Sequence, residues 1–116
     1  KKPIKGSSIG YGATYHADGN NWIATLPIGY GDGYPRRAGN RAWVMMNGKR
    51  CPIVGRVSMD MITVDAGSEV YLGDEAILFG GTDKNQLNLW ELSQTLETIP
   101  YELKCRLNAR VPRVYI

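Results

Sequence analysis

Tyrosine and arginine are the side chains of this chain with the clearest chemical potential. Two segments place a tyrosine between glycines, Gly10-Tyr11-Gly12 and Gly29-Tyr30-Gly31. Because glycine has no Cβ, another molecule can approach the backbone closely beside such a phenol. A phenol, whose reference pKa is about 10, can transfer protons when a cation or a donated hydrogen bond favours its anion. Both segments also fit ordinary glycine-rich turns, so the local sequence leaves two interpretations open.

Arginine would complete a site for an anionic substrate, because its planar guanidinium binds a carboxylate in two places. Aside from tyrosine and arginine, the sequence offers few catalytic patterns: it contains no GxSxG, HExxH or GxxxxGK[ST] motif. Asp32 and Asp60 are a weaker option as paired carboxylates. The residues predicted to form the anion site are Tyr11, Tyr30, Tyr101, Arg36 and Arg56.

Metal binding and disulfide bonding are not expected. His16 is the only histidine, so no histidine pair can form, and Cys51 and Cys105 have no CxxC partners. Free thiols in a reducing cytoplasm are therefore predicted.

Composition predicts one ordinary globular domain over residues 1–116. The chain is 43% apolar and 22% charged, with a net charge of +3. No apolar run approaches the roughly 20 residues that span a bilayer. Basic residues lack the aromatic interleaving of a nucleic-acid platform. The lysine-rich start has no apolar core behind it and is not a signal peptide. Its abrupt start suggests a piece of a longer chain.

Alternating apolar residues and turn signals predict mainly β-structure. We expect one strand over residues 9–17, a hairpin turn over 18–21, and a second strand over 22–26 that Pro27 ends. Residues 29–39 form a long loop, which is a typical place for function. Asn47-Gly48 is typical of a type I′ turn. Further strands are expected over residues 42–46, 49–57, 61–64, 75–79, 102–107 and 110–116.

One helix is predicted over residues 89–97. Asn88 can cap its start, Glu91 is three positions further on, and Pro100 would end it. The leucines at 89, 92 and 96 form an apolar stripe that indicates core packing. Many short strands and one helix predict an all-β fold, either a sandwich or a small closed β-barrel, of which we favour the barrel.

Five separated blocks resemble, in order, the C-terminal domain of bacterial alanine racemase. The resemblance covers nearly the whole chain; one departure is Gly31, where many relatives have alanine. The blocks are SIGYGATY at residues 8–15, ATLPIGYGDG at 24–33, PIVGRVSMD at 52–60, ETIPYE at 97–102 and RVPR at 110–113.

The resemblance implies a Greek-key β-barrel from an enzyme of fold-type III that uses pyridoxal 5′-phosphate. In that family an N-terminal (β/α)₈ domain, absent from this chain, carries the Schiff-base lysine. No lysine here matches that lysine's context, so this chain alone should be inactive. The parent would be a cytoplasmic head-to-tail homodimer that interconverts L- and D-alanine for peptidoglycan. A parent protein that is anchored to a membrane remains an alternative.

The resemblance also implies roles for individual residues. Tyr11 matches the catalytic tyrosine, which serves one face of the substrate Cα in the partner subunit while the lysine serves the other. Tyr101 matches the tyrosine that hydrogen-bonds the cofactor phosphate. Met59 matches the residue whose backbone N–H meets the substrate carboxylate, and Tyr30 narrows the inner gate. Positions along the access corridor are matched by Arg36, Arg56, Asp60 and Ile99.

Two alternatives stay open. The parent could racemise serine, lysine or a broad range of amino acids, because part of the gate lies in the other domain. The chain could instead be a free-standing barrel that acts as a binding module.

Overall fold

Short β-strands followed by two helices make up this computed structural model, which describes residues 1–9, 15–82 and 84–115. Within these ranges the strands are β1 Ser8–Ile9, β2 Tyr15–His16, β3 Trp22–Leu26, β4 Trp43–Met46, β5 Lys49–Pro52, β6 Ile62–Gly67, β7 Ala76–Ile77, β8 Gly80–Thr82 and β9 Asn85–Leu87. The helices are α1 Leu89–Thr95 and α2 Pro100–Arg106. The predominance of β-structure is therefore confirmed, but the prediction of a single helix was wrong.

The strands form four small antiparallel sheets. β1 pairs with β2, β3 with β6, and β8 with β9, while β4 lies between β5 and β7. Their hydrogen-bonded ladders do not run on into one closed barrel within the described residues. The β3–β6 ladder ends at Leu26, before Pro27, which has no N–H to donate. The end of β3 at Pro27 was predicted correctly.

Strand pairing differs from the predicted order at the start of the chain. The predicted single strand over residues 9–17 is instead an antiparallel pair, in which Ser8 faces His16 and Ile9 faces Tyr15. A turn does follow, because the Asn20 N–H donates to the Asp18 carboxylate at 2.8 Å. However, β3 pairs with β6 and not with β2. The hairpin expected across this turn was therefore wrong.

The central sheet agrees well with the sequence. Asn47 and Gly48 have φ values of 52° and 77°, the left-handed conformations that a type I′ turn requires. Val44 faces Cys51 across this hairpin. All four residues of β4 are buried, as expected for a strand with neighbours on both edges. β5 is shorter than predicted: Ile53 follows it, donates its N–H to the Ala42 carbonyl at 2.9 Å and forms a bridge to Val64 of β6.

Two other strand boundaries were wrong. β6 continues through Asp65-Ala66-Gly67, which had been expected to close it. Gly80 and Gly81 begin β8, although they had been expected to end the preceding strand.

The helices lie where the chain supplies helix signals. Asn88 caps α1, since its Oδ1 accepts hydrogen bonds from the N–H groups of Trp90 and Glu91 at 2.8 and 3.3 Å. Leu92 and Leu96 are buried, which confirms the predicted core stripe. Pro100 does not end the α-helical region; it stands at the first turn of α2. The strands predicted over 102–107 and 110–116 were therefore wrong, and residues 110–115 carry no regular element.

Two hydrophobic clusters hold these elements together. The larger one joins the central sheet to both helices through residues such as Val44, Val64, Leu92 and Leu103. The smaller one consists of Ile9, Ala17, Ile23 and Val54, and it anchors the β1–β2 pair to β3. Both cysteines are free, as predicted, with Cys51 buried and Cys105 exposed. Burial raises the pKa of the Cys51 thiol.

Candidate active-site face

The loop after β3 and the loop before β6 lie side by side and bring several predicted site residues together. The first loop contains a 3₁₀ turn over Tyr30–Asp32. The Tyr30 N–H donates to the Ser58 carbonyl at 3.0 Å, and the Gly31 N–H donates to the Met59 carbonyl at 2.9 Å. Two backbone hydrogen bonds thus hold Tyr30 next to Met59 and Asp60.

Arg36 belongs to the same group. It begins a second 3₁₀ turn, Arg36–Ala38, and its Cζ lies 5.6 Å from the centroid of the Tyr30 ring. This distance is within the range of a cation–π contact. Tyr30 and Met59 are 44% and 52% exposed. A phenol and a guanidinium therefore meet at an accessible surface, next to the loop that carries the exposed Met59.

Gly29 is what allows the two loops to touch. A Cβ built at this position would overlap the Ser58 carbonyl oxygen and the backbone of Met59. Its φ of −154° is ordinary extended backbone, so the requirement is for space and not for a special conformation. The Gly29 N–H also donates to the Asp32 carboxylate at 3.0 Å, which closes the turn.

The backbone of Arg56 lies close to the end of the Arg36 turn. Its Cα would be 3.0 Å from a Cβ built at Gly39, the residue that follows the Arg36 turn. Two positions before Arg56, Val54 packs in the smaller hydrophobic cluster with Ile9. Arg56 is exposed. The structure thus places this arginine between the Arg36 turn and the base of the β1–β2 pair.

Tyr11, the predicted catalytic residue, lies outside the described residues. The strands on either side of it are described: β1 ends at Ile9 and β2 begins at Tyr15, and the two are paired. The fold therefore gives the position of the two strands that flank Tyr11, but nothing of the phenol itself.

Ile99 and Tyr101 lie on α2, at its N-cap and in its first turn. Both are well exposed, at 58% and 67%. No side-chain hydrogen bond, ion pair or ring contact among the described residues joins either of them to Tyr30 or Met59. Just beyond the end of α2, Asn108 does reach the Tyr30 turn: its side-chain amide donates to the Gly31 carbonyl at 2.7 Å and its backbone N–H donates to the Asp32 carbonyl at 3.4 Å.

Asp32 and Asp60 do come close together, but they do so as partners of one cation. Arg110 Nε lies 3.4 Å from Asp32 Oδ1, and Arg110 Nη2 lies 2.9 Å from Asp60 Oδ1. An acid and base pair would leave one carboxyl free to carry a proton, so this arrangement argues against that option. The Arg110 side chain is 48% exposed, and its signal in the sequence is its place in the RVPR block.

Among the described residues no group of three or more histidine, cysteine or acidic side chains could hold a metal ion. Within the same ranges, no helix has the length and apolarity needed to cross a bilayer.

Comparison with known proteins gives one consistent result. The family model described as "Alanine racemase, C-terminal domain" matches residues 1–115. The alanine racemase of Symbiobacterium thermophilum is 47% identical over 112 residues, which cover 95% of this chain and 30% of that protein. Alanine racemase 2 of Bacillus subtilis is also 47% identical, over 94% of this chain and 28% of its own length.

Solved structures agree with the sequence relatives. The crystal structure of alanine racemase from Bacillus anthracis with bound L-Ala-P has a TM-score of 0.93 at 41% identity, covering 100% of this chain and 30% of that one. Alanine racemase from Bartonella henselae with covalently bound pyridoxal phosphate has a TM-score of 0.87 at 36% identity, covering 98% and 32% of the two chains. The chain thus spans about 30% of the length of the first of these relatives. It belongs to the family of alanine racemase C-terminal domains.

Proposed function

We propose that this chain works as the C-terminal domain of a longer racemase that depends on pyridoxal 5′-phosphate and interconverts L- and D-alanine. The observation that carries the proposal is the family match over residues 1–115. The parent would supply D-alanine for peptidoglycan in the cytoplasm. Its other domain would be a (β/α)₈ barrel that carries the cofactor lysine.

The residues present are compatible with that cofactor. Tyr101 is 67% exposed at the start of α2, so its hydroxyl is free to meet a phosphate presented by another domain. When bound, pyridoxal phosphate draws electrons from the substrate and makes its Cα proton acidic. In this proposal Tyr11 removes or returns that proton on one face, while a lysine of the other domain serves the opposite face.

Met59 and Tyr30 would hold the substrate next to Tyr11. The Met59 N–H donates to no group in the described part of the chain, which leaves it available for a carboxylate. Tyr30 is kept beside it by the paired loops, and its ring would narrow the gate in favour of a small side chain. Arg36, Arg56, Asp60 and Ile99 would line the corridor, where the arginines attract an anion.

We further propose that the active site forms between two subunits in a head-to-tail homodimer. Exposed apolar and tyrosine side chains support this arrangement, because a domain without partners seldom leaves several of them in water. The four small sheets would be arcs of a Greek-key barrel. The bridge between Ile53 and Val64 connects two of these arcs, the central sheet and the β3–β6 pair.

The test is to replace Tyr11 with Phe in the full-length parent and to measure racemisation of alanine in each direction. We expect a loss of about 10²–10⁴-fold, as is typical when a positioned proton-transfer group is removed. Tyr71→Phe is the control, since Tyr71 is a 67% exposed tyrosine that has no role in the proposed site. If Tyr11→Phe keeps the wild-type rate in both directions, Tyr11 is not a base.

Substrate choice needs its own measurement. Steady-state assays of the wild-type parent across alanine, serine and lysine would show which amino acid has the highest kcat/KM. A preference for serine or lysine would contradict alanine as substrate while leaving the racemase chemistry intact. A gene that encodes no lysine-bearing domain upstream would contradict the proposal as a whole.

A further inference from the structure

Arg110 links the two loops that carry the proposed substrate-binding residues. Its guanidinium bonds Asp32, which ends the Tyr30 turn, and Asp60, which directly follows Met59. The two carboxylates belong to loops separated by more than one strand in the sequence. One side chain therefore joins them by two ionic contacts, in addition to the backbone hydrogen bonds described above.

The three charged groups differ in how freely they can move. The Asp32 side chain is only 14% exposed and also accepts from the Gly29 N–H, so it is the fixed end of the network. Asp60 and Arg110 are 61% and 48% exposed. The Met59–Asp60 loop is thus tied through Arg110 to a carboxylate that cannot easily shift.

The backbone around Arg110 is itself held against the turn. The Arg110 N–H donates to Asn108 Oδ1 at 2.9 Å, and the Asn108 amide donates to the Gly31 carbonyl at 2.7 Å. The guanidinium lies so close over Gly31 that a Cβ there would overlap its Nη1. These contacts limit the positions that the arginine can adopt.

We propose that Arg110 is a positioning residue, which holds the Met59 loop against the Tyr30 turn and so sets the affinity for the substrate carboxylate. The inference rests on the proposed function. It adds a residue that touches neither the substrate nor the reacting atoms. The reason is geometric and electrostatic: without Arg110 the Met59 loop loses its tie, and two carboxylates stand uncompensated beside a site for an anion.

The test uses the full-length parent with four variants: Arg110→Ala, Arg110→Lys, Asp60→Asn, and the double variant Arg110→Ala/Asp60→Asn. For Arg110→Ala we expect KM for alanine to rise about fivefold, as an ion-pair network at a half-exposed site would allow. We expect kcat to change by less than about twofold, since no group in the chemical step is altered. Lysine keeps the charge but cannot bridge both carboxylates, so its KM should be intermediate.

The double variant separates this role from general structural support. If Arg110 acts through Asp60, the double variant should have a KM no higher than that of Arg110→Ala. If Arg110 only supported the fold, its removal would lower Tm and reduce the fraction of active enzyme. The apparent kcat would then fall with that fraction. Arg50→Ala is the control, because Arg50 also makes an exposed 3.0 Å ion pair, with Glu91, but lies outside this network. Its KM should equal that of the wild type.

Two results would overturn the inference. One is a wild-type KM in both Arg110→Ala and Arg110→Lys. If the alanine variant folds poorly, a wild-type KM in the lysine variant is sufficient. The other is a double variant whose fold-increase in KM equals the product of the fold-increases of the two single variants. If the wild-type parent racemises alanine while either result holds, only the role of Arg110 fails. If the wild-type parent racemises no amino acid, the proposed function fails and this inference falls with it.

Discussion

At the scale of single residues, Gly29 and Gly31 show that neighbouring glycines can be required for different reasons. A Cβ at Gly29 would overlap backbone atoms of Ser58 and Met59, which cannot move without separating the two loops. A Cβ at Gly31 would overlap the end of the Arg110 side chain and lie 2.9 Å from the Met59 carbonyl oxygen. The first obstacle is rigid, whereas most of the second is a flexible side chain.

We therefore expect Gly29→Ala to lower the free energy of unfolding by about 2–3 kcal/mol, the range seen for overpacking of a closely packed site. Gly31→Ala should cost less, about 1 kcal/mol, because the displaced group is mainly the end of the half-exposed Arg110 side chain, which can move by giving up its two exposed ion pairs. Urea denaturation of the 116-residue chain and its two variants measures the difference. Equal losses for the two variants would contradict this account of the loops.

Tyr34 presents a second residue-scale case, because its side chain is buried and its hydroxyl has no hydrogen-bond partner in the described residues. Burial strongly raises the pKa of this phenol. A buried hydroxyl without a partner costs free energy that a phenylalanine of the same shape does not. Tyr34→Phe should therefore leave the free energy of unfolding at pH 7 unchanged or raise it by about 1 kcal/mol.

The sign of the pH effect follows from the raised pKa. Above about pH 10 the unfolded chain loses the Tyr34 proton while the folded chain keeps it, so stability falls as pH rises. Between pH 9 and pH 11 the wild type should thus lose stability relative to Tyr34→Phe, whereas the difference should be constant below pH 9. The check is denaturation of both proteins across this range; a constant difference would mean that Tyr34 does not titrate as described.

At the scale of elements, α1 depends on a local cap. Asn88 Oδ1 accepts from two N–H groups at the start of a helix of only seven residues. Loss of such a cap typically costs about 1 kcal/mol. We expect Asn88→Ala to lower the free energy of unfolding by about that amount, and Asn88→Ser to retain most of it. Thermal unfolding of the wild type and the two variants measures these differences. If Asn88→Ala is as stable as the wild type, the cap is unimportant.

The second helix shows why local patterns mislead. Pro100 was expected to stop a helix, yet at the first helical position its missing N–H costs nothing. Glu102 in the first turn and Lys104 and Arg106 in the last turn also suit the helix dipole. These signals were present in the sequence. They were outweighed by the expectation that an all-β chain ends in closing strands.

At the scale of the whole molecule, the exposed apolar and aromatic side chains are the main sign that the chain has partners. Tyr30, Met59, Met61, Ile99 and Tyr101 are all between 44% and 67% exposed. Four of these five are assigned to the site or corridor by the resemblance, and Tyr30 and Tyr101 were also chosen from residue type. Their accessibility supports the proposal that a second domain covers them in the parent.

The cofactor offers a test at this scale. Because the proposed Schiff-base lysine lies in the other domain, the 116-residue chain incubated with pyridoxal phosphate and dialysed should retain no absorbance from a yellow adduct. The full-length parent treated in the same way should keep it. A persistent adduct on one lysine of the isolated chain, located by mass spectrometry after reduction, would contradict the proposed division of labour.

Local chemistry in the sequence determined several features. The bounds of β3, the Asn47-Gly48 turn and the Asn88 cap follow from residues a few positions apart, where backbone preferences act directly. The family was also visible in the sequence, because five blocks in order are far more specific than any single motif. The tyrosine and arginine candidates came from residue type, and the blocks then implied a role for each of them.

Only the tertiary structure decided which distant groups meet. β3 pairs with β6 and not with its neighbour β2, and Arg110 bonds Asp60 from 50 positions away. Local preferences cannot specify such contacts, because they depend on how the sheets pack around the two hydrophobic clusters. The ion pairs of Arg110 with Asp32 and Asp60, which join the two proposed substrate-binding loops, are contacts of this kind.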